Sequence, residues 1–368
     1  MTASNGLSDR RSVQGSGGAR QGRRAATDIE TEVLTACPLC GYTENSVLHE
    51  SLKDRLFFAP GTWTFCRCNA CGVAFLNPRP LPGEIHKAYT ELYSTRKKAG
   101  HPGGPGSLRA VKRYLKRGYY AFKHGYTVGT TRIQRMVGGI LSLMPVWGDR
   151  LSSAIMGIPC QPNGRLLDVG SGVGEMLDTM AGLGWIAEGV DTDPRVVEEC
   201  RRRGLHVRLG TLEGARYPEN HFHVVTSSHV IEHVYDPVGF LAEIRRVLKP
   251  GGRVYLRTPN LDSLGRRSFG DYWLGLEAPR HLYLFAHSTL QRVAELARFR
   301  TVRIVSTART SRFIALVSRE LRDHGRVAYR TAGSRDSRLG AFVHATRVRL
   351  HLLFGNDVGD ELLLVAEK

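Results

Sequence analysis

Three groups of residues in this 368-residue chain have types and spacings suited to chemistry. The first is cysteine. Cys37-Pro-Leu-Cys40-Gly41 and Cys68-Asn-Ala-Cys71-Gly72 are two C-x2-C-G knuckles, with 27 residues between Cys40 and Cys68. Each knuckle can present two thiolates to one ion, and the glycine permits a tight turn behind the second sulfur. Four thiolates in tetrahedral array suit Zn²⁺, and such a closed shell is structural rather than catalytic. The alternative is a set of redox-active or free thiols. Cys66 is a nearby spare, and Cys160 and Cys200 read as lone buried thiols.

The second group is the turn Asp168-Val-Gly170-Ser171-Gly172-Val-Gly174, with Asp191 following 17 residues after Gly174. Glycines let the backbone approach a ligand closely, and the N-terminus of a following helix supplies N–H donors. An acid at the end of the next strand can accept hydrogen bonds from both hydroxyls of a ribose. A nucleotide-type ligand is therefore expected. The dinucleotide fingerprint is G-x-G-x-x-G, whereas the third glycine here comes one residue early. The third group is His229-Val-Ile-Glu232-His233. Histidine is the natural base at neutral pH. His233 is the first candidate, with Glu232 as an orienting or second acid–base partner; helix capping or packing is the alternative. Together with His281, the three residues His229, Glu232 and His233 also have a spacing that could hold a divalent cation, and imidazole favours softer metals than Mg²⁺.

Elements must hold these groups in place. From Arg165 short apolar strands alternate with helices: strands at 165–169, 185–190, 206–209, 224–227 and 253–257, helices at 175–183, 194–203 and 237–248. Such alternation predicts an α/β, doubly wound, Rossmann-like parallel sheet with helices on both faces. Two late apolar stretches, 301–306 and 361–366, are expected to complete it. Ahead of the sheet, helix-like sequence is expected over 82–98, and an amphipathic basic helix with glycine interruptions over 108–153. The expected organisation is a disordered tail at 1–32, a zinc-ribbon module at 33–80 and a basic helical linker or lid at 81–160. A core at 161–310 and a C-terminal helical segment with a final strand at 311–368 follow.

Over residues 166–299 the chain resembles class I S-adenosylmethionine-dependent methyltransferases. The resemblance rests on the D-x-G-x-G-x-G turn, Gly189-Val-Asp-Thr-Asp-Pro194, His229-Val-Ile-Glu-His-Val234, Leu248-Lys-Pro-Gly-Gly252 and Pro279-Arg-His-Leu-Tyr-Leu-Phe285. It implies S-adenosyl-L-methionine as cofactor, with Asp168 near the methionine amino group. Gly170, Ser171, Gly172, Gly174, Asp191, Thr192 and Ser228 would line its site. The acid that such enzymes commonly carry after the third strand is replaced by Gly210-Thr211-Leu212-Glu213, so Thr211 or the backbone of Leu212 is expected to meet the adenine. The paired knuckles ahead of this core, followed by Phe75-Leu-Asn-Pro-Arg-Pro80, resemble the N-terminal zinc ribbon of bacterial sugar and small-molecule methyltransferases. The His229–His233 segment looks like the E-x-x-E-H motif of ubiquinone-type and small-RNA methyltransferases, with His229 where the first glutamate would stand. His281 and Tyr283 are expected at the acceptor pocket, with Trp273 as a wall.

Composition narrows the partner. Apolar residues make up 42 % and charged residues 23 %, so the chain is globular. The net charge is +18. Arg165 to Asp262 carries 12 Lys/Arg against 14 Asp/Glu, whereas Leu92 to Gly148 carries 11 basic residues and no acid. This flank suggests an anionic partner, either nucleic acid, a membrane surface or a phosphorylated substrate. Three readings follow: transfer of a methyl group to a hydroxyl or activated carbon of a saccharide, glycolipid or small metabolite; modification of RNA; or a non-catalytic cofactor-binding scaffold. No apolar run is long enough to cross a membrane, and the first 24 residues lack the apolar core of a secretory signal. The expected location is the cytoplasm, and the basic helix has two alternatives, contact with an anionic membrane surface or a lid over the acceptor site.

Overall fold

A computed structural model describes residues 28–89, 107–144, 151–327 and 335–368. Among these residues the main sheet contains β6 (Arg165–Val169), β7 (Ile186–Asp191), β8 (His206–Leu209), β9 (Phe222–Ser228), β10 (Leu248–Pro259), β12 (Arg300–Thr307) and β13 (Glu361–Glu367). Their order is β12-β13-β10-β9-β6-β7-β8. The pairs from β10 through β8 are parallel, and β13 is antiparallel to both its neighbours. The chain winds outward from β6 to β8 on one side, then returns to β9 and β10 on the other. The winding direction therefore reverses between β6 and β9, and in such sheets ligands bind at the carboxyl ends of the strands at that point. The expected doubly wound sheet is present, with both late strands in it.

The sequence cues act locally. Asp193 caps α4 (Pro194–Arg202) and Asp236 caps α5 (Pro237–Val247), each by a side-chain oxygen accepting a backbone N–H, with proline in the first turn. The remaining helices around the sheet are α3 (Glu175–Ala181), α6 (Leu264–Phe269), α7 (His287–Leu296), α8 (Ser311–His324) and α9 (Arg335–Leu353).

The N-terminal module consists of β1 (Thr31–Glu32), β2 (Asn45–Leu52), β3 (Trp63–Cys68), β4 (Ala74–Leu76) and β5 (Arg79–Pro80). Its sheet, β11-β4-β3-β2, borrows β11 (Tyr283–Leu284) from the core. One buried apolar cluster runs from Trp63, Phe65 and Phe75 through Tyr283 and Phe285 to Phe222 and Leu256. Module and sheet thus share a core.

Two expectations change. Of the tail expected over 1–32, Thr31 and Glu32 instead pair with Pro80 and Arg79 as a short strand; residues 1–27 lie outside the described residues. The helix expected over 82–98 is a single 3-10 turn at Ile85–Ala88, with residues 90–98 outside the described residues. The basic segment forms α1 (Ser107–His124) and α2 (Arg132–Ser142), separated by a turn containing Gly125 and Gly129 in left-handed conformation.

Candidate active site

The glycine turn follows β6 as expected. Gly170, Gly172 and Gly174 have φ of 72°, 52° and 76°, a region costly for residues with a Cβ. Space forbids a side chain too: a Cβ on Gly170 would lie 2.4 Å from Val230, and one on Gly174 2.5 Å from Leu205. The turn therefore abuts the segment that carries His229. Gly172 has open space at its Cβ position and donates its N–H to Asp191 Oδ2 at 2.8 Å. Asp191 Oδ1 accepts from Asp193 N at 2.9 Å. Asp191 thus ties the end of β7 to the turn, and a carboxylate has further lone pairs for ribose hydroxyls. Ser171 Oγ is buried with no hydrogen-bond partner, as a donor kept for a ligand would be.

Asp168 is buried on β6 and accepts from the Thr226 hydroxyl at 2.7 Å. Burial raises its pKa and the Thr226 bond lowers it, leaving it at about 7. Thr192 is exposed directly after Asp191, and Ser228 is half-buried at the end of β9. Thr211 is exposed and its hydroxyl accepts from Gly214 N, while Leu212 is buried beside it.

The third group gathers on the other side of the crevice. His229 follows β9 with φ of 57°, a left-handed turn that aims its ring between two carboxylates. Nδ1 lies 3.1 Å from Glu232 Oε1 and Nε2 lies 2.7 Å from Glu361 Oε1. With both carboxylates ionised each contact takes an N–H from the ring, which makes His229 an imidazolium. Burial opposes that charge, but the two acids outweigh it and raise the pKa to about 10. Glu232 and Glu361 are fully buried; burial favours their neutral forms, yet His229 holds each down at about 2. Glu232 Oε2 also accepts from the Thr258 hydroxyl at 3.0 Å.

His233 differs from His229. Its Nδ1 lies 2.9 Å from the carbonyl of Arg280, which can only accept. Nδ1 therefore carries the proton, with the Tyr89 hydroxyl 3.4 Å from the same nitrogen, and Nε2 keeps its lone pair. Burial and the neighbouring His281 lower its pKa to about 4, so it is neutral at pH 7. His281 Nδ1 likewise faces the Gly275 carbonyl at 2.8 Å, and the two rings meet edge to face at 4.7 Å. Tyr283 instead turns its hydroxyl to the Tyr235 carbonyl, and Trp273 is buried. One ligating atom each from Glu232, His233 and His281 falls within 4.8 Å of the others. Against a cation there, both Glu232 oxygens are already engaged and the His229 imidazolium lies beside them.

A cavity of about 350 Å³ opens on this group. His229, His233 and His281 line it together with Glu277, Asp360 and Glu361, and Leu274, Phe313 and Ile314 form an apolar wall. Asp360 Oδ2 and Glu361 Oε2 are buried without a hydrogen bond. No lysine or arginine is among the described lining residues.

Sequence reasoning missed Glu361, Thr258, Arg280 and Asp54. Arg280 is fully buried and makes a paired bridge to Asp54, at 2.7 Å and 3.0 Å. Asp54 also accepts the N–H groups of Leu56, Phe57 and Ala59. The N-terminal module therefore fixes the residue whose carbonyl orients His233. The only local signal was the arginine beside His281.

In the same module, Cys37 and Cys71 sulfurs lie 3.7 Å apart, and Cys40 and Cys68 sulfurs 3.6 Å apart. All four fall within 4.8 Å. A tetrahedron with ~2.3 Å metal–sulfur bonds has sulfur–sulfur edges of about 3.8 Å. Gly41 and Gly72 have φ of 75° and 76°, the left-handed turn expected behind each second cysteine. Cys66 is not part of the cluster.

Residues 146–304 match a family described as a methyltransferase domain. The match takes in fewer than half of the chain's residues and makes this part similar to a methyltransferase domain. Among curated relatives, a 37.1 kDa protein in transposon TN4556 of Streptomyces fradiae is 34 % identical over 116 residues, 29 % of this chain and 33 % of that protein. The mitochondrial ubiquinone biosynthesis O-methyltransferase of Schizosaccharomyces pombe is 34 % identical over 116 residues, 29 % of this chain and 42 % of its own length. The chain thus spans less than half the length of these relatives. Among solved structures, an S-adenosylmethionine-dependent methyltransferase from Mesorhizobium loti is 14 % identical with a TM-score of 0.42, covering 60 % of this chain and 98 % of that one. The matched segment contains the glycine turn, Asp191 and the His229–His233 segment, whereas Glu361 and the four cysteines lie outside it.

Proposed function

We propose that this chain transfers a methyl group from S-adenosylmethionine to a hydroxyl, or to a carbon activated by a neighbouring carbonyl, of a saccharide, glycolipid or similar small acceptor. The observation that carries the reading is His233. It is a neutral imidazole with Nδ1 committed to a carbonyl and Nε2 available in a cavity at the carboxyl ends of the strands. When bound, S-adenosylmethionine supplies an already activated methyl, so the protein has to align the acceptor and take its proton. Gly170 to Gly174 and Asp191 would hold the nucleoside end, with Asp168 near the amino group. His233 Nε2 takes the acceptor proton. The His229–Glu232–Glu361 cluster holds the cavity wall, and Asp360 and Glu361 accept hydrogen bonds from further acceptor hydroxyls.

The lining also speaks to the alternatives. The described lining has three carboxylates and no lysine or arginine, and its one cation, His229, is already paired with Glu232 and Glu361; such a lining opposes a phosphate group, which disfavours RNA. The four cysteines fit a structural Zn²⁺, which would hold the N-terminal module and through it the Asp54–Arg280 bridge.

Two substitutions test the reading. Asp191→Ala should weaken S-adenosylhomocysteine binding roughly 10- to 100-fold in calorimetry, as loss of charge-assisted hydrogen bonds predicts. His233→Ala should lower kcat about 10²- to 10⁴-fold in a labelled-methyl assay, with cofactor affinity unchanged. Turnover that survives His233→Ala would refute the base. Activity abolished by a chelator and restored by a divalent ion, with the cysteine cluster intact, would replace the base with a metal at Glu232, His233 and His281.

A further inference from the structure

In α2 the ordinary arrangement of a surface helix is reversed. The residues facing inward are Gln134 and Gly138, both buried, and the partly covered Leu141. The large apolar residues Ile133, Met136, Ile140 and Leu143 recur at i, i+3, i+7 and i+10, which is one helical face. They are 66–81 % exposed. The inversion follows from how the helix is held. Gly138 packs backbone to backbone on Gly118 of α1, so that a Cβ on Gly138 would lie 2.0 Å from the Gly118 carbonyl oxygen. Gln134 caps the helix and donates to the Tyr114 carbonyl. Helix contact therefore needs no bulky apolar residue, and those present face outward. Phe122, 56 % exposed, adjoins Gly139 at the same seam.

The hairpin is anchored to the body on its other side. Tyr119, Tyr120 and Tyr126 are buried, and the Trp185 indole donates to the Tyr126 hydroxyl at 3.1 Å. Charge distinguishes the possible occupants of the outer face. Lys112, Arg113, Arg117, Lys123, Arg132 and Arg135 are exposed on the two helices, which carry no acid. A second copy would bring like charges together. A nucleic acid would satisfy the cations but leave the apolar stripe in water. An anionic lipid surface satisfies both, since apolar side chains enter the interface while arginine and lysine meet the headgroups.

We infer that α1 and α2 form a membrane-docking hairpin, with Ile133, Met136, Ile140 and Leu143 inserted into an anionic leaflet. This is independent of the acceptor. The test is flotation of the full chain with phosphatidylcholine vesicles, pure or containing one-third phosphatidylglycerol. Binding is expected to the anionic vesicles and to fall at least tenfold in Arg132→Glu/Arg135→Glu and separately in Ile140→Asp. Thermal melting and S-adenosylhomocysteine affinity should stay unchanged, showing that the variants fold. Equal binding to both vesicles, or to neither, would overturn the inference. So would a lipid-free dimer in light scattering that Ile140→Asp dissociates, which would assign the face to a second copy.

Discussion

His229 and His233 lie four residues apart on one segment, yet one is charged and the other is not. His229 sits between two buried carboxylates and is held protonated; His233 faces a carbonyl and is held neutral. The first pairing has a consequence for stability. His229 is raised to about 10 from an ordinary 6.5, so its contribution is complete below pH 6.5 and disappears as pH rises toward 10. Glu232 and Glu361 are lowered to about 2 from 4.5, so their contribution is complete above pH 4.5 and disappears as pH falls toward 2. The cluster stabilises most between those limits, at about pH 4.5–6.5. Glu361→Gln removes one partner of His229. The melting-temperature difference from wild type should be largest inside that window and shrink on both sides. A difference that stays constant from pH 4 to 9 would contradict the pairing.

At the scale of elements, the hairpin α1–α2 depends on two glycines that do different things. Gly138 is in backbone contact with Gly118, whereas a Cβ on Gly139 would meet the Phe122 ring at 3.2 Å. Helix propensity alone favours alanine over glycine by roughly 0.5–1 kcal/mol. Gly138→Ala should nevertheless destabilise by about 1–3 kcal/mol, because the helices must separate. Gly139→Ala should be nearly neutral, since an aromatic ring can yield a few tenths of an ångström. Denaturant titration of the two variants distinguishes them, and equal midpoints would mean that the crossing does not need Gly138.

For the whole molecule, the Asp54–Arg280 bridge offers a test of whether the N-terminal module is an accessory or part of the proposed catalytic unit. Both groups are buried, and without Asp54 the Arg280 guanidinium keeps Glu277, at 3.2 Å, as its charged partner. Asp54→Ala should destabilise by about 3–5 kcal/mol. The milder Asp54→Asn should lower kcat more than it raises KM, because Arg280 positions His233 through its carbonyl. Unchanged kcat in a folded Asp54→Asn protein would show that the module acts on stability alone.

Much of this was legible along the chain because it is local. The strand and helix alternation, the glycine turn, its partner Asp191, the four cysteines and the basic run depend on spacing over a few tens of residues. The α/β sheet and the position of the turn followed from them. What tertiary structure decided was every partnership across long separations. Glu361 lies 132 residues from His229, and Asp54 lies 226 residues from Arg280. No periodicity links such positions, since burial and a shared neighbour arise only when β13 enters the sheet and β11 joins the module. The same holds for His229 and His233. Both are histidines in one motif, and only the groups placed against each ring nitrogen make one a fixed cation and the other a neutral imidazole.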